Sequence, residues 1–208
     1  MTFRVPRLIS TFSLAMLLVL LGTFAPSRPV YAYASTPAIP VLSQFITQIR
    51  DGRARDLRGV YVPNVLAAPI VQQPVGQYGF VSSRRGVLTQ FSLPAKFETT
   101  GLLAHNYLAG ARFALMNRGQ ILYLVYGDGR VTRFVIREIQ EYQALNPLSE
   151  TSSFENSESG AVFTARELLE RIYNQPGKLV FQTCIARGTE LAWGRLFIIA
   201  EELPTQTR

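Results

Sequence analysis

Residues 178–202, KLVFQTCIARGTELAWGRLFIIAEE, carry the reading of this chain. Lys178–Thr183 is apolar and partly β-branched, and Leu196–Ala200 is a short apolar run bounded by charge. Ile185–Gly194 between them contains Gly188 and Gly194. Two neighbouring strands joined by a loop are therefore expected, each too short for a helix and bounded by turn formers. Cys184, the only cysteine, then stands at the end of one strand and Arg195 at the start of the next. A rigid strand end can present a reactive group to a ligand. Positive charge beside a thiol favours the thiolate and can stabilise an oxyanion. The only histidine, His105, lies upstream in GLLAHNYLAG and completes a candidate nucleophile, acid/base and oxyanion stabiliser. Against this, a lone cysteine on an apolar strand is ordinarily a small buried hydrophobe, and a lone histidine a satisfied polar residue.

The 208 residues allow one domain plus a targeting segment. The net charge of +7 includes Arg4, Arg7 and Arg28, with no acid before residue 35, which leaves 18 basic against 14 acidic residues in the remainder. That balance is too mild to point to nucleic acid as a partner, and no basic motif with interleaved aromatics occurs. One cysteine excludes an intramolecular disulfide and a multi-cysteine zinc site. At the N-terminus, Arg4 and Arg7 precede the apolar stretch Leu8–Phe24, and Val30-Tyr31-Ala32 and Ala32-Tyr33-Ala34 follow as small-residue cleavage sites. The expectation is export with cleavage after Ala34, or a signal anchor retained in the membrane.

Residues 35–72 are punctuated by Pro37, Pro40, Pro63 and Pro69. They read as a short amphipathic helix over Val41–Gly52, with Val41, Leu42, Phe45, Ile46 and Ile49 on one face, followed by an extended segment that packs against the domain or serves as a spacer from the membrane. From residue 73 the pattern is one of strands: Gln77–Val81, Gly86–Phe91, Gly101–Ala104, Ile121–Tyr126 and Arg130–Ile139. Gly127-Asp128-Gly129 between the last two suits the positive φ of a tight hairpin turn. Asn146–Gly160 reads as a surface loop. Thr164-Ala165-Arg166-Glu167 matches a capping box ahead of a helix with Leu168, Leu169 and Ile172 on one face, which Pro176-Gly177 stops. The sum is a mainly β domain over 73–208 with one or two short helices, and closure into a barrel would remove its exposed edges.

The order of GLLAHN, a Gly-Gln-Ile strand, the GDG hairpin, a helix, LVFQTC and WGRLFIIAE resembles the sortases. Val180-Phe181-Gln182-Thr183-Cys184 stands where that family has Thr-Leu-x-Thr-Cys, keeping the Thr-Cys pair and departing at its first two positions. The resemblance implies an eight-stranded β-barrel and an exported cysteine transpeptidase of the cell envelope. Its substrate would be a peptide sorting signal, and an amine or water would accept the acyl group. Cys184 would be the nucleophile, His105 the acid/base and Arg195 the oxyanion donor. Residues 146–173 would form one wall of the groove. Beside the nucleophile, Thr183 either helps the oxyanion hole through its hydroxyl or backbone or only packs; Asn106 either orients His105 or lines the groove, or is a plain loop residue; and Trp193 is either a groove wall or a core anchor. No cofactor is implied. Some sortases bind calcium through acidic loop residues, but Glu98 alone is not a site. A non-catalytic peptide- or surface-binding module and a secreted thiol peptidase are the alternatives that the same residues leave open.

Overall fold

The structure, a computed structural model, describes residues 39–149 and 151–204. The expected signal segment 1–34 lies outside them. Among the described residues no helix is long and apolar enough to cross a membrane.

In chain order, helix α1 (Leu42–Ile49) precedes β1 (Leu57–Val62), β2 (Leu66–Gln72), β3 (Leu88–Phe91) and β4 (Thr100–Leu103). Then come β5 (Ile121–Tyr126), β6 (Val131–Ala144), β7 (Phe154–Asn156), β8 (Val162–Phe163), α2 (Ala165–Tyr173), β9 (Lys178–Arg187) and β10 (Glu190–Glu202). Two 3-10 turns, Leu93–Phe97 and Ala109–Leu115, flank β4 on either side. The sheet runs β10-β9-β4-β3-β2-β1-β5-β6, and β10 pairs again with β6. Eight strands thereby close into a mixed barrel, parallel at β2/β3 and β4/β9, and β7 and β8 extend from β6 as a short antiparallel ribbon. Closure leaves no edge within the barrel. The expected mainly β barrel with short helices is the fold observed.

Alternation along the strands creates two cores. Inside the barrel lie Leu102 and Ala104 of β4 and its end, Leu179 and Phe181 of β9, and Leu196, Ile198 and Ala200 of β10. The outer face of the same strands is also apolar: Leu103, Val180, Phe197 and Ile199 pack beneath Leu168, Ile172 and Tyr173 of α2. Burial on both faces is why LVF and LFIIA are continuous apolar runs rather than alternating ones. Helix α2 starts as expected: Thr164 Oγ1 accepts from the Glu167 N–H, and Glu167 Oε2 accepts from the Thr164 N–H at 2.8 Å.

Four expectations are corrected. Residues 57–72, read as a spacer, supply β1 and β2, so the barrel begins well before residue 73. Pro69 masked the second of these. It is exposed opposite Gly59 of β1, one residue before the β3 ladder starts at Ile70, where its missing N–H costs no bond. Gln77–Val81 is not a strand, because the Gln73 side-chain amide donates to the Tyr78 and Phe80 carbonyls and folds the segment into turns. The surface loop 146–160 contains β7. The expected loop Ile185–Gly194 is mostly strand, since β9 and β10 run on to a turn at Gly188-Thr189, with an irregularity between Glu190 and Gly194.

Candidate active site

Cys184 and Arg195 are direct register partners across the antiparallel β9/β10 pair. Such partners project from the same face with Cβ atoms roughly 5 Å apart. That face is the outer one: Val180 and Gln182 precede Cys184 in the alternation, while Phe197 and Ile199 follow Arg195. On the other side of β9 runs parallel β4, in register Leu103 with Gln182. The Ala104 N–H donates to the Gln182 carbonyl at 3.3 Å, which carries the ladder one residue past the strand. His105 is the next residue, level with Cys184, and follows Leu103 in alternation to the outer face. β9 and β10 thus pair residues 184 and 195, and the chain leaving β4 brings residue 105, 90 positions before residue 195, along the other side of β9. All three are half-buried.

The His105 turn is fixed from several sides. Its carbonyl accepts from the Leu108 and Gly110 N–H groups, each at 3.0 Å. The imidazole stacks on Tyr107, with ring centroids 5.1 Å apart and planes inclined by 17°. Asn106 Nδ2 donates to the Leu191 carbonyl at 2.9 Å, tying this turn to the tip of the β9/β10 hairpin. The Arg195 guanidinium donates through Nη1 to the Gly194 carbonyl at 2.9 Å and the Ala192 carbonyl at 3.2 Å, and lies 5.5 Å over the Phe154 ring. These contacts hold it at the mouth of a cavity of about 220 Å³ on the outer face. Its walls include Phe154 of β7, Leu168, Leu169 and Tyr173 of α2, and Gln182 of β9. Within residues 146–173, β7 and α2 are the parts that line this cavity. No hydrogen bond joins the side chains of His105, Cys184 and Arg195, a spacing common in sites without substrate.

Other expected site residues stand differently. Thr183 alternates with Cys184 and turns inward, 4% exposed and paired in register with Leu196; its hydroxyl has no hydrogen-bond partner. That hydroxyl is on the wrong face to meet a ligand beside Cys184. Trp193 neither joins a core cluster nor lines the cavity; the Arg187 guanidinium covers its ring at 4.8 Å. Glu98 closes a 3-10 turn in the left-handed region (φ 56°), and its carbonyl accepts from the Gly177 N–H. Among the described residues no three His, Cys, Asp or Glu side chains gather as metal ligands. Sequence reading named Phe154 and Tyr173 only within the segment 146–173 and missed Gln182 as a cavity residue. Gln182 alone carried a signal, as the polar residue inside an otherwise apolar strand.

Solved structures of sortases are similar to this chain. Sortase C-1 from Actinomyces oris is 14% identical, covering 82% of this chain and 83% of its own, at a TM-score of 0.47. A lid mutant of Streptococcus agalactiae sortase C1 is 12% identical over 78% and 76%, at 0.46. Sortase E1 from Streptomyces coelicolor, solved with a tripeptide in its active site, is 13% identical over 75% and 91%, at 0.45. No family model and no curated protein matches the sequence. At such identities the likeness to sortases concerns architecture alone, and the chemistry has to be read from this chain's own side chains.

Proposed function

We propose that this chain is an exported, sortase-like cysteine transpeptidase. The observation that carries the reading is the pairing of Cys184 with Arg195 on one face of the barrel, with His105 just past the end of the adjoining strand β4 and a cavity lined by Arg195. A thiol meant only to fill a core would need neither a guanidinium that pairs with no carboxylate among the described residues nor a histidine next to it.

The Cys184 thiolate attacks a backbone carbonyl of the bound peptide, and Arg195 donates to the oxygen as it becomes an oxyanion. Protonated His105 gives its proton to the departing amine as the C–N bond breaks, leaving a thioester on Cys184. An incoming amine, or water, then loses its proton to His105 as it attacks the thioester, and the thiolate leaves. With an amine the peptide is transferred; with water it is hydrolysed. The apolar N-terminal stretch supports delivery of this chemistry to the cell envelope.

The test is alkylation of the single thiol by iodoacetamide across pH, in the full chain and in His105→Ala and Arg195→Ala. One site predicts a reactive thiol whose pH profile changes in both variants, with the rate falling by about tenfold or more. A thiol that is inert in all three proteins, or reacts as a free cysteine in all three, would reject catalysis and favour a binding module.

A further inference from the structure

We propose that the cavity beside Cys184 selects a substrate side chain ending in a hydrogen-bond acceptor, the amide or carboxylate oxygen of Gln, Asn, Glu or Asp. This rests on the reading of Cys184 as nucleophile and names the substrate class of that site. Among the lining side chains, Phe154, Leu168, Leu169 and Phe197 are apolar and suited to an aliphatic stem. The polar groups are Tyr173, Gln182 and Arg195. Tyr173 is 1% exposed, and its hydroxyl donates to Gln182 Oε1 at 2.6 Å. Burial pushes that phenol well above its ordinary titration range, so it stays a donor.

This bond fixes the orientation of the Gln182 amide. Turned over, it would leave the buried phenol proton without an acceptor, a loss on the order of 1–3 kcal/mol. Oε1 already accepts from Tyr173, so the wholly unused polar group of Gln182 is its Nε2 donor, for which no partner occurs among the described residues. Arg195 uses Nη1 on two carbonyls and pairs with no carboxylate among the described residues, so it too offers donors only. A slot whose unused polar groups, Gln182 Nε2 and the Arg195 guanidinium, are donors set among apolar side chains is matched by an acceptor at the end of an aliphatic stem. A leucine of similar size would bury those donors unpaired, the arrangement that discriminates most strongly between isosteres. Gln182 precedes Cys184 by two residues on one strand face, roughly 6.6 Å. The selected residue therefore sits about two to three positions from the attacked carbonyl.

The experiment measures alkylation of the full chain by acetyl-tetrapeptidyl chloromethyl ketones. Gln, Glu, Leu or Met is set in turn at the second, third and fourth residue from the reactive carbon, and iodoacetamide is the untargeted reference. At one position the Gln or Glu probe should react about tenfold faster than the Leu probe. Gln182→Glu keeps the acceptor for Tyr173 and the size of the side chain but replaces the donor group, and it should abolish that advantage. Leu or Met probes reacting as fast at every position, or an unchanged Gln/Leu ratio in Gln182→Glu, would overturn the proposal. The reference arm separates the two levels. If iodoacetamide reactivity depends on His105 while the probe panel is flat, only the subsite fails. A thiol indifferent to His105 removes the nucleophile and the subsite together.

Discussion

At Gly110 the absence of a side chain bears directly on the site. A Cβ there would meet the Thr183 hydroxyl, the His105 carbonyl at 2.7 Å and the Ala104 carbonyl at 2.9 Å. Two of these are backbone atoms of the segment that carries His105, and the third belongs to the residue before Cys184. Gly110→Ala must therefore move the His105 turn away from β9. Overpacking of this kind costs about 1–3 kcal/mol. The expectation is a lower Tm together with a fall in Cys184 alkylation larger than the fall in folded fraction, checked by measuring both on one preparation below its melting range. An unchanged alkylation rate would mean that the turn tolerates the methyl group without displacing His105. This close approach also explains why Thr183 is small and faces inward. Its hydroxyl packs toward the Gly110 turn, the ordinary role of a small strand residue at this place, and its backbone still runs beside Cys184.

Helix α2 connects that site to stability, because it lies over the outer faces of β9 and β10 and walls the cavity with Leu168, Leu169 and Tyr173. Its capping box has a pH signature. Hydrogen bonds from the Thr164 N–H and then its hydroxyl hold the Glu167 carboxyl below its ordinary value of 4.5. The folded state thus binds that proton less readily than the unfolded chain. The cap's contribution is complete above pH 4.5 and is lost as pH falls through the lower folded value. Between neutral pH and pH 3, Glu167→Gln should flatten part of the acid decline in Tm, and Thr164→Ala should lower Tm by a few degrees at neutral pH. Parallel acid declines in the wild type and Glu167→Gln would show that the cap carries no linkage. This helix was legible in sequence because cap, apolar face and Pro-Gly stop all act locally, and the same holds for Ile121–Tyr126 and its Asp-Gly turn. The cavity was not. Phe154 sits in a Ser-, Glu- and Asn-rich stretch, and only pairing of β7 with the end of β6 brings it to Arg195. The His105, Cys184 and Arg195 set was readable as an order of residues. The Cys184/Arg195 part is a local hairpin and was readable, whereas the approach of His105 required the long-range parallel pairing of β4 with β9.

For the whole molecule, the decisive correction is where the barrel begins. β1 and β2 stand between β3 and β5, so removing them would break the ring at two ladders and expose two long edges. Helix α1 is part of the same unit. Gly59 of β1 has no Cβ because Phe45 and Ile49 of the helix occupy that space, with the Phe45 ring 2.7 Å from where it would be. Beyond the helix, the Asp51 and Gly52 N–H groups both donate to the Gly127 carbonyl in the β5/β6 turn, at 2.9 and 2.7 Å. Arg58 bridges Asp51 and Asp56 at 2.8 and 2.6 Å from a largely buried position. Two truncations separate the readings. A chain beginning at Ala38 keeps every described element and should unfold in one cooperative transition with its Cys184 reactivity unchanged. A chain beginning at Gln73 lacks two of the eight barrel strands and should fail to give a cooperative melt, leaving its thiol to react as in an unfolded peptide. Were the shorter chain to melt cooperatively with native thiol reactivity, residues 57–72 would be an accessory layer, and β3 and β5 would have to close on each other without them.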